Sequence, residues 1–263
     1  FKRQDGWMTS SAEMLAEAAT MVRVSTHMVA FTGAGISTPS GIPDFRSAGS
    51  GLWERDDPMR VASATAFKFR PQDFYSWLRP LVSASTMASP NPAHIGLAAL
   101  EKMGILKAVI TQNIDGLHQK ASSTNVIELH GSMQTFHCPD CGVITKDSRD
   151  LVAEILNGVI PRCERCGAVI KPGITLYEET LPMDAWQKAE SEINKCDLLL
   201  IAGSSLEVFP AATLPLTALE NGSRVLLINY STTPMDGRAD LVLNMDVSEA
   251  IPRICEIVLA GSE

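Results

Sequence analysis

Four cysteines carry the most specific chemistry in the chain. Cys138 and Cys141 form one C-x2-C pair, Cys163 and Cys166 form another, and 21 residues separate the two. Two such knuckles offer four thiolates to one tetrahedral zinc ion. Four thiolates close the shell, so the metal is expected to be structural. Gly142 and Gly167 follow the pairs and ease the tight turns that bring backbone amides toward sulfur. Spacing alone also admits two disulfides or a redox pair, but no export signal accompanies the cysteines. The 136–172 stretch around them holds five acidic and five basic residues, a poor composition for a DNA-binding ribbon. Cys196 and Cys255 fall outside the pattern and read as core residues.

A second set of polar residues recurs in short motifs: Gly33-Ala34-Gly35 with Ser37, Asp44-Phe45-Arg46, Gln112-Asn113-Ile114-Asp115, His130-Gly131, Gly203-Ser204-Ser205 and Asn229-Tyr230. An imidazole titrates near neutral pH and suits a general base. Glycines let backbone approach a pyrophosphate, and a helix N-terminus favours its charge. Each motif also has a plain structural reading. Gly33–Gly35 lacks the full G-x-G-x-x-G spacing, since Thr38 stands three residues after Gly35, and by itself fits a tight strand-to-helix turn. Asp44 and Arg46 fit a buried ion pair, and His130 fits a hydrogen-bonded residue at a strand end.

The elements that position these motifs are legible as apolar runs: Met28–Thr32, Leu106–Thr111, Val126–Leu129, Leu198–Ala202 and Val225–Ile228. They read as buried parallel strands. Each ends in one of the polar motifs, and ligands of open α/β sheets bind outside the carboxyl ends of the strands. One shared site is therefore expected. Helices fill the gaps: a stripe of Met14, Leu15, Ala18, Met21 and Val22; Pro92–Met103, ended by Gly104; and Ser248–Leu259, capped by Ser248 with Ile251, Ile254 and Val258 inward. The alternation predicts an α/β fold, a Rossmann-like doubly wound parallel sheet. Two stretches break it. Residues 50–90 are rich in aromatics and read as a helical insert with a mobile start near Ser47–Gly51. Residues 136–172 read as the zinc-binding module. The sheet domain is then assembled from 1–49, 91–135 and 173–263.

The 263 residues are 45% apolar and 20% charged, ordinary for a soluble globular enzyme. A net charge of −8 argues against general nucleic-acid binding. The longest strongly apolar run, Leu198–Ala202, is far too short to span a bilayer, and Phe1 to Ser10 lack an apolar leader core. Met8 reads as a native start behind a vector-derived or trimmed Phe1–Trp7. A cytoplasmic monomer, with neither nucleic acid nor membrane as partner, is expected.

Taken in order, Gly41-Ile42-Pro43-Asp44-Phe45-Arg46, Gln112 to His118, Leu129-His130-Gly131, the two cysteine pairs, Gly203-Ser204-Ser205-Leu206 with Val208 and Pro210, and Ile228-Asn229 resemble the sirtuins, the NAD-dependent protein deacylases. The resemblance runs from about Ala30 to the last helix. It implies a Rossmann-like domain beside a small module of zinc ribbon and helices, with NAD as co-substrate and an acyl-lysine protein or peptide meeting in the cleft between them. The products it implies are nicotinamide, free lysine and O-acyl-ADP-ribose. His130 is then the general base, while Asn113 and Asp115 hold the nicotinamide ribose and carboxamide. Gln112 lies near the ribose hydroxyls with Ile114 beside it, and Phe45 covers the ribose face. Asp44 and Arg46 belong to the cofactor loop. Gly33, Ala34, Gly35, Ser37, Gly203, Ser204 and Ser205 meet phosphates and the adenosine ribose, Asn229 and Tyr230 the adenosine ribose, and Asp246 and Val247 adenine. Ile174, Thr175, Leu176, Tyr177 and Val208 clamp the peptide. His118 is expected to brace its own turn. ADP-ribosyl transfer or NAD hydrolysis would need the same cleft.

The chain departs from the family pattern in two places. The substrate strand commonly reads Val-Val-x-Phe-Gly-Glu; here it is Ile174-Thr175-Leu176-Tyr177-Glu178-Glu179, so Tyr replaces Phe and Glu replaces Gly. Glu178 could favour basic residues flanking the acyl-lysine. Desuccinylase-type members carry Tyr-x-x-Arg. The aligned Tyr75 is present, but Leu78 stands at the arginine position and Arg79 falls one residue late, turned by about 100° on a helix. An apolar acyl pocket, taking acetyl and longer groups, is expected over an acidic-acyl one.

Overall fold

The structure, a computed structural model, describes residues 10–47, 49, 51–145 and 148–261. Met8, the Phe1–Trp7 segment, and Ala48 and Ser50 of the expected mobile stretch lie outside the described residues. Nine strands are present among the described residues: β1 Met28–Thr32, β2 Leu106–Thr111, β3 Val126–Glu128, β4 Gly131–His137, β5 Ile144–Thr145, β6 Lys171–Ile174, β7 Leu198–Ala202, β8 Arg224–Ile228 and β9 Leu241–Leu243.

Six of them form one sheet in the order β3-β2-β1-β7-β8-β9, and every pairing is parallel. The chain crosses over between β1 and β7, and that is where a doubly wound sheet opens its ligand crevice. Both strands are fully buried, because helices cover both faces. Side chains alternate between the two: Met28, Ala30, Leu198 and Leu200 join one apolar cluster, Val29, Phe31, Leu199 and Ile201 the other. The first face is covered by helices Ser11–Val24, Pro92–Lys102 and Val247–Ala260, the second by Met183–Ile193 and Leu214–Glu220. This is the predicted doubly wound architecture.

Several boundaries moved by a residue or two: the helix expected over Pro92–Met103 ends at Lys102, and β8 starts at Arg224. Leu129 lies just past β3, although it stays buried. The last helix is capped by Asp246, whose carboxylate accepts the Ser248 amide at 2.7 Å, instead of by Ser248. The carboxylate begins the helix two residues earlier because it can reach that amide and also suits the positive end of the dipole. The sixth strand, β9, was not expected. Its apolar run, Leu241-Val242-Leu243, is only three residues long, and only Leu243 is fully buried.

Outside the main sheet, β4 pairs antiparallel with β5 and β6. A third apolar cluster joins this small sheet to the 50–90 stretch. It packs Phe67, Phe74, Tyr75, Leu78 and Val82 against Phe136, Cys138, Ile155, Cys163 and Ile170. A helix, Arg149–Leu156, lies between the cysteine pairs. No helix among the described residues is long and apolar enough to cross a membrane.

Candidate functional site

The first turn of the site is set by steric closeness. A Cβ at Gly33 would lie 2.8 Å from the Gly203 carbonyl oxygen, and one at Gly35 only 2.9 Å from the Gly203 Cα. Gly203 itself has φ +62°, and its own Cβ would meet the Ile36 amide at 2.3 Å. These glycines let the β1 and β7 loops interlock, and the Gly35 amide donates to the Gly203 carbonyl at 2.8 Å. The turn is followed only by the 3-10 turns Ala34–Ile36 and Thr38–Ser40, not by a long helix. A macrodipole therefore contributes little at this point, and phosphate recognition falls to amides and hydroxyls.

Beyond that turn, the loops at the carboxyl ends of β1, β2, β7 and β8 join the 174–179 segment around one cavity of about 830 Å³. Every expected cofactor and substrate residue, from Gly33 to Val247, lines this cavity, and so does His130.

His130 follows β3, and its Nδ1 sits 2.9 Å from the Gln112 carbonyl oxygen. A carbonyl only accepts, so Nδ1 carries the proton and Nε2 keeps its lone pair. Burial lowers the pKa of this imidazole, and the Arg46 charge lowers it further, while the Gln112 carbonyl partly opposes both. The ring is therefore neutral at pH 7 and ready to accept a proton.

Ser37 ties the neighbouring polar groups together. Its hydroxyl donates to Asp115 Oδ2 at 2.7 Å and accepts from Asn113 Nδ2 at 3.1 Å. The Asn113 amide also donates to the Gly33 carbonyl at 3.0 Å, and Asp115 Oδ1 accepts the Leu117 amide. Gln112 Nε2 donates to Ser204 Oγ at 2.8 Å. Behind them lies a buried polar floor. Thr32 Oγ1 donates to Thr111 Oγ1 at 2.9 Å and meets His118 Nε2 at 3.0 Å. His118 thus braces the end of β1 instead of its own turn. Burial pushes its pKa down to about 3, and that of the adjacent His94 to about 4, so neither competes as a base near neutral pH.

Aromatic rings form one wall. Phe45 stacks on Trp53 at 5.1 Å, Trp53 stacks on Trp77 at 5.8 Å, and Tyr177 meets Trp53 edge-on at 6.1 Å. Trp53, Trp77, Leu81 and Ser85 line the cavity without having been singled out beforehand. The signal was there, since Trp77, Leu81 and Ser85 recur every four residues along one face of helix Pro71–Met87. Tyr75 turns away from the cavity. Its hydroxyl donates to the Ile170 carbonyl, and Leu78 is fully buried. The alternative reading of Asp44 and Arg46 as an ion pair does not hold among the described residues. The Asp44 carboxylate accepts the Arg46 and Ser47 amides, while the Arg46 guanidinium pairs across the cleft with Glu207 at 3.2 Å. Arg46 is the only cation among the described lining residues.

The four cysteines converge. Their sulfurs all lie within 4.8 Å of one another, with Cys138–Cys166 at 3.4 Å and Cys141–Cys163 at 3.5 Å. A disulfide needs about 2.05 Å, so these contacts are not disulfides. Zinc–sulfur bonds of about 2.3 Å place tetrahedral sulfurs roughly 3.8 Å apart, and the donor set fits that ion. Gly142 and Gly167 adopt φ +71° and +75°. The turns aim the Cys141 amide at Cys138 Sγ, and this is the largest influence lowering that thiol to about 7.

Comparison with known proteins gives a consistent set of matches. The sequence profile of the Sir2 family matches residues 33–210. The NAD-dependent protein deacylase 2 of Archaeoglobus fulgidus is 44% identical over 243 residues, spanning 92% of this chain and 95% of the relative. A structure solved to establish the structural basis for the mechanism and regulation of Sir2 enzymes superposes with a TM-score of 0.89 at 42% identity, over 94% of this chain and 98% of that one. The structure of Sir2Af2 bound to a myristoylated histone peptide superposes with a TM-score of 0.82 at 37% identity, over 96% of this chain and all (100%) of that one.

Proposed function

The chain belongs to the Sir2 family, and from that premise we propose that it is an NAD-dependent protein-lysine deacylase with His130 as its general base. The observation that carries the reading is the tautomer of His130. Its Nδ1 is engaged by the Gln112 carbonyl, which leaves the Nε2 lone pair for the cavity that Asn113 and Asp115 also line. A module that only sensed NAD would need no base at that position.

In the proposed reaction, Asn113 and Asp115 hold the nicotinamide ribose and carboxamide, with Ser37 fixing both side chains. The bond from nicotinamide to ribose breaks, and the acyl oxygen attacks the anomeric carbon. His130 takes a proton from the ribose hydroxyls, so that the 2′-oxygen attacks the alkylimidate carbon; one water then adds to that carbon, and the lysine leaves as free amine with the acyl group left on the ribose. Phe45, held by its stack on Trp53, covers the ribose and excludes water. The zinc would be held by Cys138, Cys141, Cys163 and Cys166. With its shell closed by thiolates it supplies rigidity to the small module.

The substrate is an acyl-lysine peptide lying along Ile174–Tyr177 and Val208 by strand addition. The Trp77, Leu81 and Ser85 face supports an acyl range that extends from acetyl to longer chains. The turned-away Tyr75 hydroxyl and the lack of a second cation among the described lining residues oppose an acidic acyl group. Incubation with NAD and an acetyl-lysine peptide tests the reading. Peptide-dependent nicotinamide release with loss of the acyl mass is expected. Nicotinamide release without peptide, or ADP-ribose gained by protein, would refute it as the main activity.

The depressed His130 pKa sets a further expectation. The base form persists as pH falls below 6.5, the free imidazole value, so the acid limb of kcat/KM should lie below 6.5. His94 and His118 are also neutral in the fold. The unfolded chain therefore binds more protons below 6.5, and stability declines with falling pH. A fold measurement at each pH separates the two effects. A limb at or above 6.5 with the fold intact would assign the limb to another group.

A further inference from the structure

Tyr177 and Glu178 lie where the substrate segment departs from the family pattern, and Glu178 adopts φ +74°, a left-handed conformation that suits glycine and strains other residues. Such a conformation persists only where the surroundings over-determine it. Three groups do so. The Glu178 carboxylate accepts the Thr65 amide at 2.8 Å. The Lys171 ammonium, 8% exposed, lies 3.0 Å from Glu179 Oε2 and donates to the Ile174 carbonyl at 2.6 Å. The same Glu179 oxygen accepts the Leu176 amide at 2.8 Å. One ion pair, between a buried lysine and a carboxylate 30% exposed, thus grips the segment's backbone at two points. The other ties run to separate parts of the molecule: Thr175 N to the His130 carbonyl, and Tyr177 N to the Ala62 carbonyl.

Resting on the deacylase reading above, we propose that Lys171 and Glu179 are positioning residues that hold the 174–178 segment in the shape that receives the acyl-lysine peptide. Lys171 does not line the cleft, and neither residue is among those expected to hold NAD. Their effect falls on peptide binding, because a segment already ordered loses less freedom when a strand adds to it.

The test uses the full-length zinc-loaded protein and four variants: Lys171→Met, Glu179→Gln, the double change, and Lys171→Arg. KM is measured for an acetyl-lysine peptide at saturating NAD, and for NAD at saturating peptide. Both single variants should raise the peptide KM about tenfold while the NAD KM moves less than about twofold. Lys171→Arg, which keeps the charge and can reach both partners, should stay near wild type. Zinc content and thermal unfolding monitor folding. If a single variant fails to fold, the double variant, which strands no buried charge, carries the measurement. A peptide KM unchanged in the folded variants, or equal rises in both KM values, overturns the proposal. A wild-type protein that binds the peptide and NAD without deacylation overturns the deacylase reading alone, and direct peptide titration of the variants then decides the clamp. A wild type that binds no acyl-lysine peptide overturns both.

Discussion

His130→Ala is expected to lower deacylation by roughly 10²–10⁴-fold, the usual contribution of a positioned general base. The loss should appear in kcat at saturating NAD and peptide, because the imidazole is proposed to act on the ribose hydroxyls after nicotinamide has left. The fold should survive. The ring makes one hydrogen bond, to the Gln112 carbonyl, and that carbonyl can be rehydrated from the cleft. The expected cost is about 1 kcal/mol, or roughly 2–4 °C in the unfolding midpoint for a chain of this size. The proposed residual step, nicotinamide–ribose cleavage, does not use this base, so nicotinamide exchange should persist better than deacylation. Unchanged deacylation in a folded His130→Ala protein would remove the residue from the mechanism.

Cys163→Ala should have the other large effect, on the scaffold instead of the chemistry. Cys163 is buried in the cluster that joins the 50–90 stretch to the small sheet, so its loss removes both a ligand and a packed side chain. Three thiolates leave an open position, and the metal is lost or exchanges freely. Zinc content should drop from about one per chain toward none, with an unfolding midpoint lower by on the order of 10 °C. Peptide turnover should fall as a consequence, since Ile174 and Leu176 belong to the same cluster. A variant that keeps its zinc and its midpoint would show that the four sulfurs are not the ligand set.

Much of this arrangement was legible before any coordinates, for physical reasons. β1, β2 and β7 were readable because strands buried on both faces must be apolar at nearly every position. β9 was not, because its three apolar residues, Leu241–Leu243, make too short a run to mark a strand. The cysteine module was readable because tetrahedral thiolate geometry constrains ligand spacing. The cap of the last helix was misread because Asp246 and Ser248 are both good caps, and only the path of the chain decides between them. At the cleft, residue types and order were informative, but orientation was not. Nothing in the sequence says that the Gln112 carbonyl fixes the His130 tautomer, that Arg46 reaches Glu207 instead of Asp44, or that Tyr75 faces Ile170. Those contacts join residues far apart in the chain, and they depend on which loops the sheet brings together.

The shared cluster beneath the small module bears on how the chain is made. Tyr75 and the Ile170 carbonyl it meets are 95 residues apart, and two strands of the main sheet, β2 and β3, lie between them. On a ribosome adding roughly 5–20 residues per second, the aromatic face of helix Pro71–Met87 waits about 5–19 s for its covering partner to emerge. Early in that interval Phe74, Tyr75 and Leu78 have only Phe67 and one another to pack on; Phe136 and Cys138 arrive midway, and Ile155, Cys163 and Ile170 last. A translation pause before the second cysteine pair would lengthen the exposure, and chaperone capture of stalled nascent chains should peak in that window.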